Sequence, residues 1–311
     1  HYCLVGGDSR LHEWLDAELP CLADAPEGVR LAIAAPRGEA KSTFVSLFFV
    51  LWAVLTGRKH YILIIADALE QAASLLGAVK DELEFNEALK RDFPGAGKGH
   101  VWNVGTVVTP GNVKIQALGA GKRMRGLRHG PHRPDLIVLD DLENDGNVDK
   151  PEQRDKLQSW LQKTVLNLGA ADGSMDVVYV GTLLHYDSVL ARTLRKPLWK
   201  ARTFRSILRW PDRMDLWDEW ESLLSSRGEA EARRFYRQHR VKMEAGAEVS
   251  WPASRPLYRL MCLRAEDREA FDSEQQNDPL SANEAPFNGC ITFWVDRSRD
   301  WLLFGAVDPS L

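Results

Sequence analysis

Residues 35–43 read APRGEAKST, placing a lysine and two hydroxyls after a glycine-bearing turn. The turn lies between one apolar run (29–35) and a second apolar stretch (41–55) that reads as a helix. A phosphate-binding loop needs this arrangement: backbone N–H groups at the helix start face anionic oxygens, Lys41 reaches the β- and γ-phosphates, and Ser42 ligates magnesium. The ligand implied is ATP with Mg2+, held by Arg37, Gly38, Glu39, Ala40, Lys41, Ser42 and Thr43. The loop departs from GxxxxGK[ST], because Ala35 and Ala40 stand at the outer glycine positions, and a methyl at Ala40 restricts the backbone. Glu39 adds a negative charge to an anion-binding loop, so its side chain is expected to point outward. Taken alone, the run also suits an ordinary strand-to-helix turn.

A second group completes the chemistry. Leu136-Ile-Val-Leu-Asp140-Asp141 is an apolar strand ending in paired acids, as a Walker B element requires. Asp140 would hold the magnesium through water, and Asp141 would polarise the attacking water, with Glu143 the alternative base. The run also reads as a strand capped by solvated carboxylates. Both elements occur in the expected order, each at a strand end, where ligands of parallel α/β sheets bind.

The elements that must position these residues alternate in type. Apolar runs at 29–35, 61–66, 136–139 and 175–180 read as buried strands, and residues 95–118 as two short strands with turns. Between them lie a helix over 41–55 closed by Gly57, and one starting at an Asp67/Glu70 capping pair and continuing toward Lys90. A third starts at Pro151, with Leu157, Trp160, Leu161, Thr164 and Leu168 facing the sheet. Continuous apolar strands alternating with helices imply an α/β fold with a mostly parallel central sheet flanked by helices, which the phosphate loop and the acid-ended strand make a P-loop NTPase. After Arg205 the sequence turns helical and rich in Trp, Arg and Glu, with no further obvious strand until 291–295 and 302–307. The expected division is an ATPase core at 1–205, a helical lid or linker subdomain at 206–295, and the start of a truncated domain at 296–311.

Composition narrows the class. The 311 residues are 44% hydrophobic and 27% charged, with a net charge of −4, so any nucleic-acid contact must use local basic patches. The longest apolar run, 44–55, is interrupted by Ser46 and is shorter than the roughly 20 residues of a bilayer span. Acids and a base at Asp8, Arg10, Glu13 and Asp16 break any signal-peptide pattern, and the start at His1 suggests a fragment. Cys3, Cys21, Cys262 and Cys290 lack metal-ligand spacing and are expected to be free thiols.

Together these residues resemble the ATPase domain of phage terminase large subunits, most strongly over 30–187. The PRGEAKST loop is similar to the family's deviant Walker A, with Arg37 in the place of its basic residue four positions before the lysine. Residues 136–145 resemble its Walker B with an acidic tail, although Asp141 stands where glutamate is usual. Val180-Gly181-Thr182 falls where the family has its coupling motif. The resemblance assigns Thr182 to sensing the γ-phosphate, and His185 more weakly. Phe304-Gly-Ala-Val-Asp308-Pro-Ser resembles the opening strand of the family's ribonuclease H-like nuclease, which implies that Asp308 is a metal ligand. One aspartate cannot assemble a two-metal site, so no cleavage by this chain is expected. The family implies a motor translocating double-stranded DNA into a procapsid, in the host cytoplasm and without a membrane. Its implied partners are further copies in a ring, a small terminase subunit and the portal protein.

Residues 121–133 form a basic, glycine-punctuated loop without an acid. Arg125 or Arg128 would serve there as an arginine finger, the resemblance favouring Arg125; alternatively the loop touches DNA phosphates. Further basic stretches run over 192–209 and 233–242, the latter interleaved with glutamates that suit a salt-bridged solvent face equally well. Two other readings stay open: a helicase-like nucleic-acid-dependent ATPase, which needs a second RecA-like domain, and a degenerate nucleotide-binding assembly factor, motivated by Glu39 and Ala40.

Overall fold

The computed structural model describes residues 7–279. Eight strands form one sheet: β1 (Arg30–Ala34), β2 (Tyr61–Ala66), β3 (Val101–Trp102), β4 (Thr106–Val108), β5 (Lys114–Gly119), β6 (Leu136–Asp140), β7 (Asp176–Gly181) and β8 (Lys200–Thr203). Their spatial order is β3-β4-β5-β2-β6-β7-β1-β8. Neighbours from β5 through β8 pair in parallel, while β3 and β4 extend the β5 edge antiparallel. The fold is therefore α/β with a mostly parallel sheet.

Strand alternation splits the core between the two faces. Leu31, Ile33, Ile62, Ile64, Leu136, Val138, Val178 and Val180 point to one side; Ala32, Ala34, Leu63, Ile65, Ile137, Leu139, Val177 and Tyr179 point to the other. The first face is covered by α1 (Arg10–Ala23), by the helix that follows the loop, and by α3 (Leu69–Phe85). That following helix is wound as a π-helix over Thr43–Phe49 and continues as α2 (Val50–Leu55). The short α4 (Glu87–Asp92) adds Leu89 to this face. On the second face lie α6 (Pro151–Lys163), preceded by α5 (Asp145–Val148), and α7 (Val189–Leu194). Burial on both faces is why these strands read as unbroken apolar runs.

A separate cluster forms around Trp217 and Trp220. It comprises β9 (Ile207–Arg209) antiparallel to β10 (Glu248–Val249), with α8 (Met214–Arg227), α9 (Glu229–Glu244), α10 (Leu257–Glu266) and α11 (Arg268–Glu274). The division expected at 205 falls between β8, on the main sheet, and β9. The segment 280–311, with Cys290, the strands expected at 291–295 and 302–307, and Asp308, lies outside the described residues, as does Cys3.

Several expectations need correction. Residues 95–118 hold three strands, not two. The β9–β10 pair and β8 went unread, because β8 is a solvent-exposed edge strand of Lys, Ala, Arg and Thr with no apolar signature. Asp67 does not cap α3, whose N-cap is Ala68 without a side-chain bond. That helix stops at Phe85, where the Asn86 side chain accepts from the Ala88 and Leu89 N–H groups and starts α4.

Candidate nucleotide site

β1 delivers the loop to the C-terminal edge of the sheet, two strands from the acids of β6, with β7 between them. The loop is tied to β7 on both sides: Ala35 N–H donates to the Gly181 carbonyl, and Thr182 Oγ1 donates to the Ala35 carbonyl at 3.2 Å. Asp141 N–H donates to Val180 O, which anchors the acid turn to the same strand. β7 thus holds both halves of the site in register.

Gly38 has φ +79°, the left-handed region glycine adopts at no steric cost. A Cβ there would also lie 1.8 Å from Arg255 Nη2, so any larger residue would have to displace the arginine's guanidinium. Ala40 takes φ +53° despite its methyl, at a cost of about 1 kcal/mol. The turn then enters the helix; Phe44 N–H already donates to the Ala40 carbonyl, which leaves the N–H groups of Lys41, Ser42 and Thr43 at the helix start to face an anion.

Glu39 does not point outward. Its carboxylate is fully buried, accepts a hydrogen bond from Ser250 Oγ at 3.2 Å, and faces Arg255. Burial pushes its pKa up to about 7, against the opposing pull of Ser250 and Arg255. Its backbone carbonyl accepts from His12 Nε2 at 2.8 Å; the His12 ring accepts the Ser9 N–H at Nδ1, so its proton sits on Nε2. The loop is therefore packed from behind by α1 and by the second cluster, with the glutamate turned away from the phosphate side.

Lys41 and Ser42 meet the two acids separately. Lys41 Nζ lies 3.2 Å from Asp141 Oδ2. Ser42 Oγ donates to Asp140 Oδ1 at 2.9 Å, and Ser46 Oγ donates to Asp140 Oδ2. Asp140 has no exposed surface, and burial, with Asp141 beside it, raises its pKa to about 6. Asp141 takes φ +46°, a strained turn for an aspartate. Thr43 is half-buried as the first π-helical residue.

A cleft of about 220 Å3 opens above this base, lined by Arg37, Lys41, Asp141, Glu143 and Thr182 among others. Two cations in it, Arg37 and Lys41, face five carboxylates: Asp67, Asp141, Glu143, Asp145 and Glu274. A triphosphate entering such a cleft needs an accompanying cation. Ser42 and Asp140 supply the hard oxygen donors that suit magnesium. No group of three or more His, Cys, Asp or Glu that could hold a metal ion occurs among the described residues.

The other expected residues fall in different settings. Arg37 is exposed, donates to Glu274 Oε1 at 2.5 Å, and its N–H donates to the Glu274 carbonyl. Glu143 is engaged: it accepts from Val189 N–H at 2.7 Å, Leu190 N–H at 3.1 Å and Tyr179 Oη at 3.3 Å. Burial raises its pKa despite those bonds. His185 lies on the sequel of β7 and accepts the Asp187 N–H at Nδ1.

Arg125 and Arg128 are exposed, and neither lines the cleft. The loop that carries them starts near the site, where the Lys122 carbonyl accepts from Trp160 Nε1. It ends at the opposite edge of the sheet, where His129 Nε2 reaches the Asn112 carbonyl and His132 stacks on His60. Arg123, Arg125, Arg128 and Arg133 have no ion-pair partner among the described residues.

Sequence reasoning missed Ser46, Asp67, Ser250, Arg255 and Glu274. Asp67 was findable, since it follows β2 at the edge where both motifs lie. Its carboxylate accepts from Asn147 Nδ2 at 3.1 Å and from Asn144 Nδ2. Glu274 and Arg255 come from a part of the chain more than 200 residues away, with no local signal.

No family model and no curated protein matches the chain. Among solved structures it is similar to the large terminase ATPase domain of Thermus phage P74-26, at 15% identity and a TM-score of 0.42, over 84% of this chain and 92% of that one. A point mutant of the same domain matches at 13% identity and a TM-score of 0.41, over 84% and 93%.

Proposed function

We propose that this chain is the ATP-hydrolysing motor of a viral DNA-packaging terminase. The observation that carries the ATPase reading is the double pairing at the sheet edge, Lys41 with Asp141 and Ser42 with Asp140. It sets a phosphate-binding lysine and a metal-binding hydroxyl against the two acids that hydrolysis needs. Magnesium, bound with the nucleotide, would lie against Ser42 and Asp140 and neutralise charge on the transferred phosphoryl group. Lys41 would turn from Asp141 to the phosphates, leaving Asp141 free to orient the attacking water. Thr182, bonded to the loop across β7, would register the γ-phosphate.

Two features weigh against a degenerate assembly factor. Ala40 already adopts the left-handed backbone for which glycine is preferred, and Glu39 is turned into the protein. The family-level reading rests on the loop with Arg37, the acid strand and the Val180-Gly181-Thr182 turn. Under it the chain acts on double-stranded DNA in the host cytoplasm, as a ring of copies with a small terminase subunit and a portal protein. The arginines of the 121–133 loop, without an ion-pair partner among the described residues, supply a phosphate-binding face, and Arg125, remote from its own cleft, would act as the finger on a neighbouring copy. The test is magnesium-dependent ATP turnover with and without duplex DNA, beside Lys41→Ala. Turnover that requires Lys41 and rises with DNA supports the motor; turnover indifferent to Lys41 overturns it.

A further inference from the structure

Ser46 sits in the middle of an apolar helix, between Val45 and Leu47, with no exposed surface. A buried hydroxyl there costs free energy unless it is hydrogen-bonded. The usual solution inside a helix is to donate to the carbonyl four residues back. Thr56, Thr193, Ser225 and Ser226 all do so, bonding Trp52, Val189, Glu221 and Ser222. Ser46 does not: it donates out of its helix to Asp140 Oδ2.

Asp140 is thereby held at both oxygens by hydroxyls one helical turn apart, Ser42 on Oδ1 and Ser46 on Oδ2. Rotation about the bond to a carboxylate is soft, and a single partner leaves it free to swing. Ser42 must also turn a lone pair toward a cation, which leaves Ser46 as the partner with no other duty.

We infer that Ser46 is a positioning residue of the metal site: it fixes the Asp140 carboxylate so that Ser42 and Asp140 present one set of oxygens to the cation that accompanies the nucleotide. This rests on the reading of the cleft as a magnesium–nucleotide site. Ser46→Ala and Ser46→Cys separate the role from packing, since alanine suits the apolar surroundings and cysteine keeps the size with only a weak donor. The experiment titrates Mg2+ against binding of a fluorescent ATP analogue, with Mn2+ binding followed by electron paramagnetic resonance in the presence of ATP.

The expected result is a half-saturating Mg2+ raised about tenfold in Ser46→Ala, the loss of one hydrogen bond to a charged acceptor. Metal-free analogue affinity stays as in the wild type, thermal unfolding shifts down because buried Asp140 Oδ2 loses a partner, and Ser46→Cys falls between. Half-saturation within about twofold of wild type in Ser46→Cys and in any folded Ser46→Ala overturns the inference, provided Lys41→Ala abolishes analogue binding. If wild-type binding does not depend on Lys41, the nucleotide-site reading fails first and takes this one with it.

Discussion

Lys41 Nζ and Asp141 Oδ2 stand 3.2 Å apart, so the loop's cation is engaged by an acid of β6's end before any phosphate arrives. The pair is partly shielded, with Lys41 buried and Asp141 half-buried. A phosphate must compete for the lysine, and once it does the aspartate is released toward solvent in the cleft.

Asp141→Asn is therefore expected to keep nucleotide binding and to lower kcat by about 100-fold or more. Glu143→Gln tests the alternative base. Its carboxylate holds the first two N–H groups of α7 and the Tyr179 hydroxyl, so its loss should chiefly destabilise the fold, by about 1–3 kcal/mol. Steady-state kinetics and chemical denaturation on both variants decide; a kcat collapse in Glu143→Gln alone, at unchanged stability, would move the base to Glu143.

Glu39 gives the protein a stability that depends on pH. Its folded-state pKa of about 7 lies above the ordinary 4.5, so the folded state holds a proton that the unfolded state has released. Stability must fall as pH rises through this window and level off above it, a loss on the order of 3 kcal/mol from this one group. Glu39→Gln should flatten that slope and be the more stable protein above pH 7, as read by urea denaturation across pH. An unchanged slope would show that Glu39 ionises normally.

Ala40→Gly should relieve the left-handed strain and leave the protein about 0.5–1 kcal/mol more stable, offset in part by the freer unfolded chain. Nucleotide affinity should not fall. A loss of affinity would mean the alanine methyl helps to shape the loop.

Glu274→Gln removes the partner that holds Arg37 and should tighten ATP-analogue binding about twofold to fivefold, the modest gain from an exposed pair. Arg37→Ala should weaken it. Equal affinity in Glu274→Gln and wild type would mean that Arg37 leaves Glu274 at no cost.

Substituting Arg123 and Arg128 together by alanine should weaken duplex DNA binding and reduce the salt slope by about 0.9 for each phosphate no longer neutralised. ATP binding by the same variant should be unchanged, since neither arginine lines the nucleotide cleft. Filter binding over a salt series measures the first, and analogue titration the second.

The parts of the fold legible in the sequence are those whose signal is local. β1, β2, β6 and β7 are apolar on both faces and stand out as runs, and Lys41, Ser42, Asp140 and Asp141 follow from their strand ends. β8 escaped because an exposed edge strand owes its conformation to pairing with β1 rather than to its own residues. Glu39 was misplaced because nothing nearby shows that Ser250 and Arg255 return to cover it. Ser46 looked like an interruption in a helix until its proton acceptor, 94 residues away, was visible.

The phosphate loop is finished by the far end of the described chain: Ser250 on Glu39, Arg255 against Gly38, Glu274 on Arg37, and Asn277 bonding the Leu183 N–H after β7. During synthesis the sheet can assemble while these residues are still inside or behind the ribosome. A nascent chain halted before Ser250 would carry Lys41 on a loop with half its walls missing. Under the proposed function, competence for the nucleotide comes late, when α11 folds back, and a growing polypeptide would have no finished site with which to consume ATP.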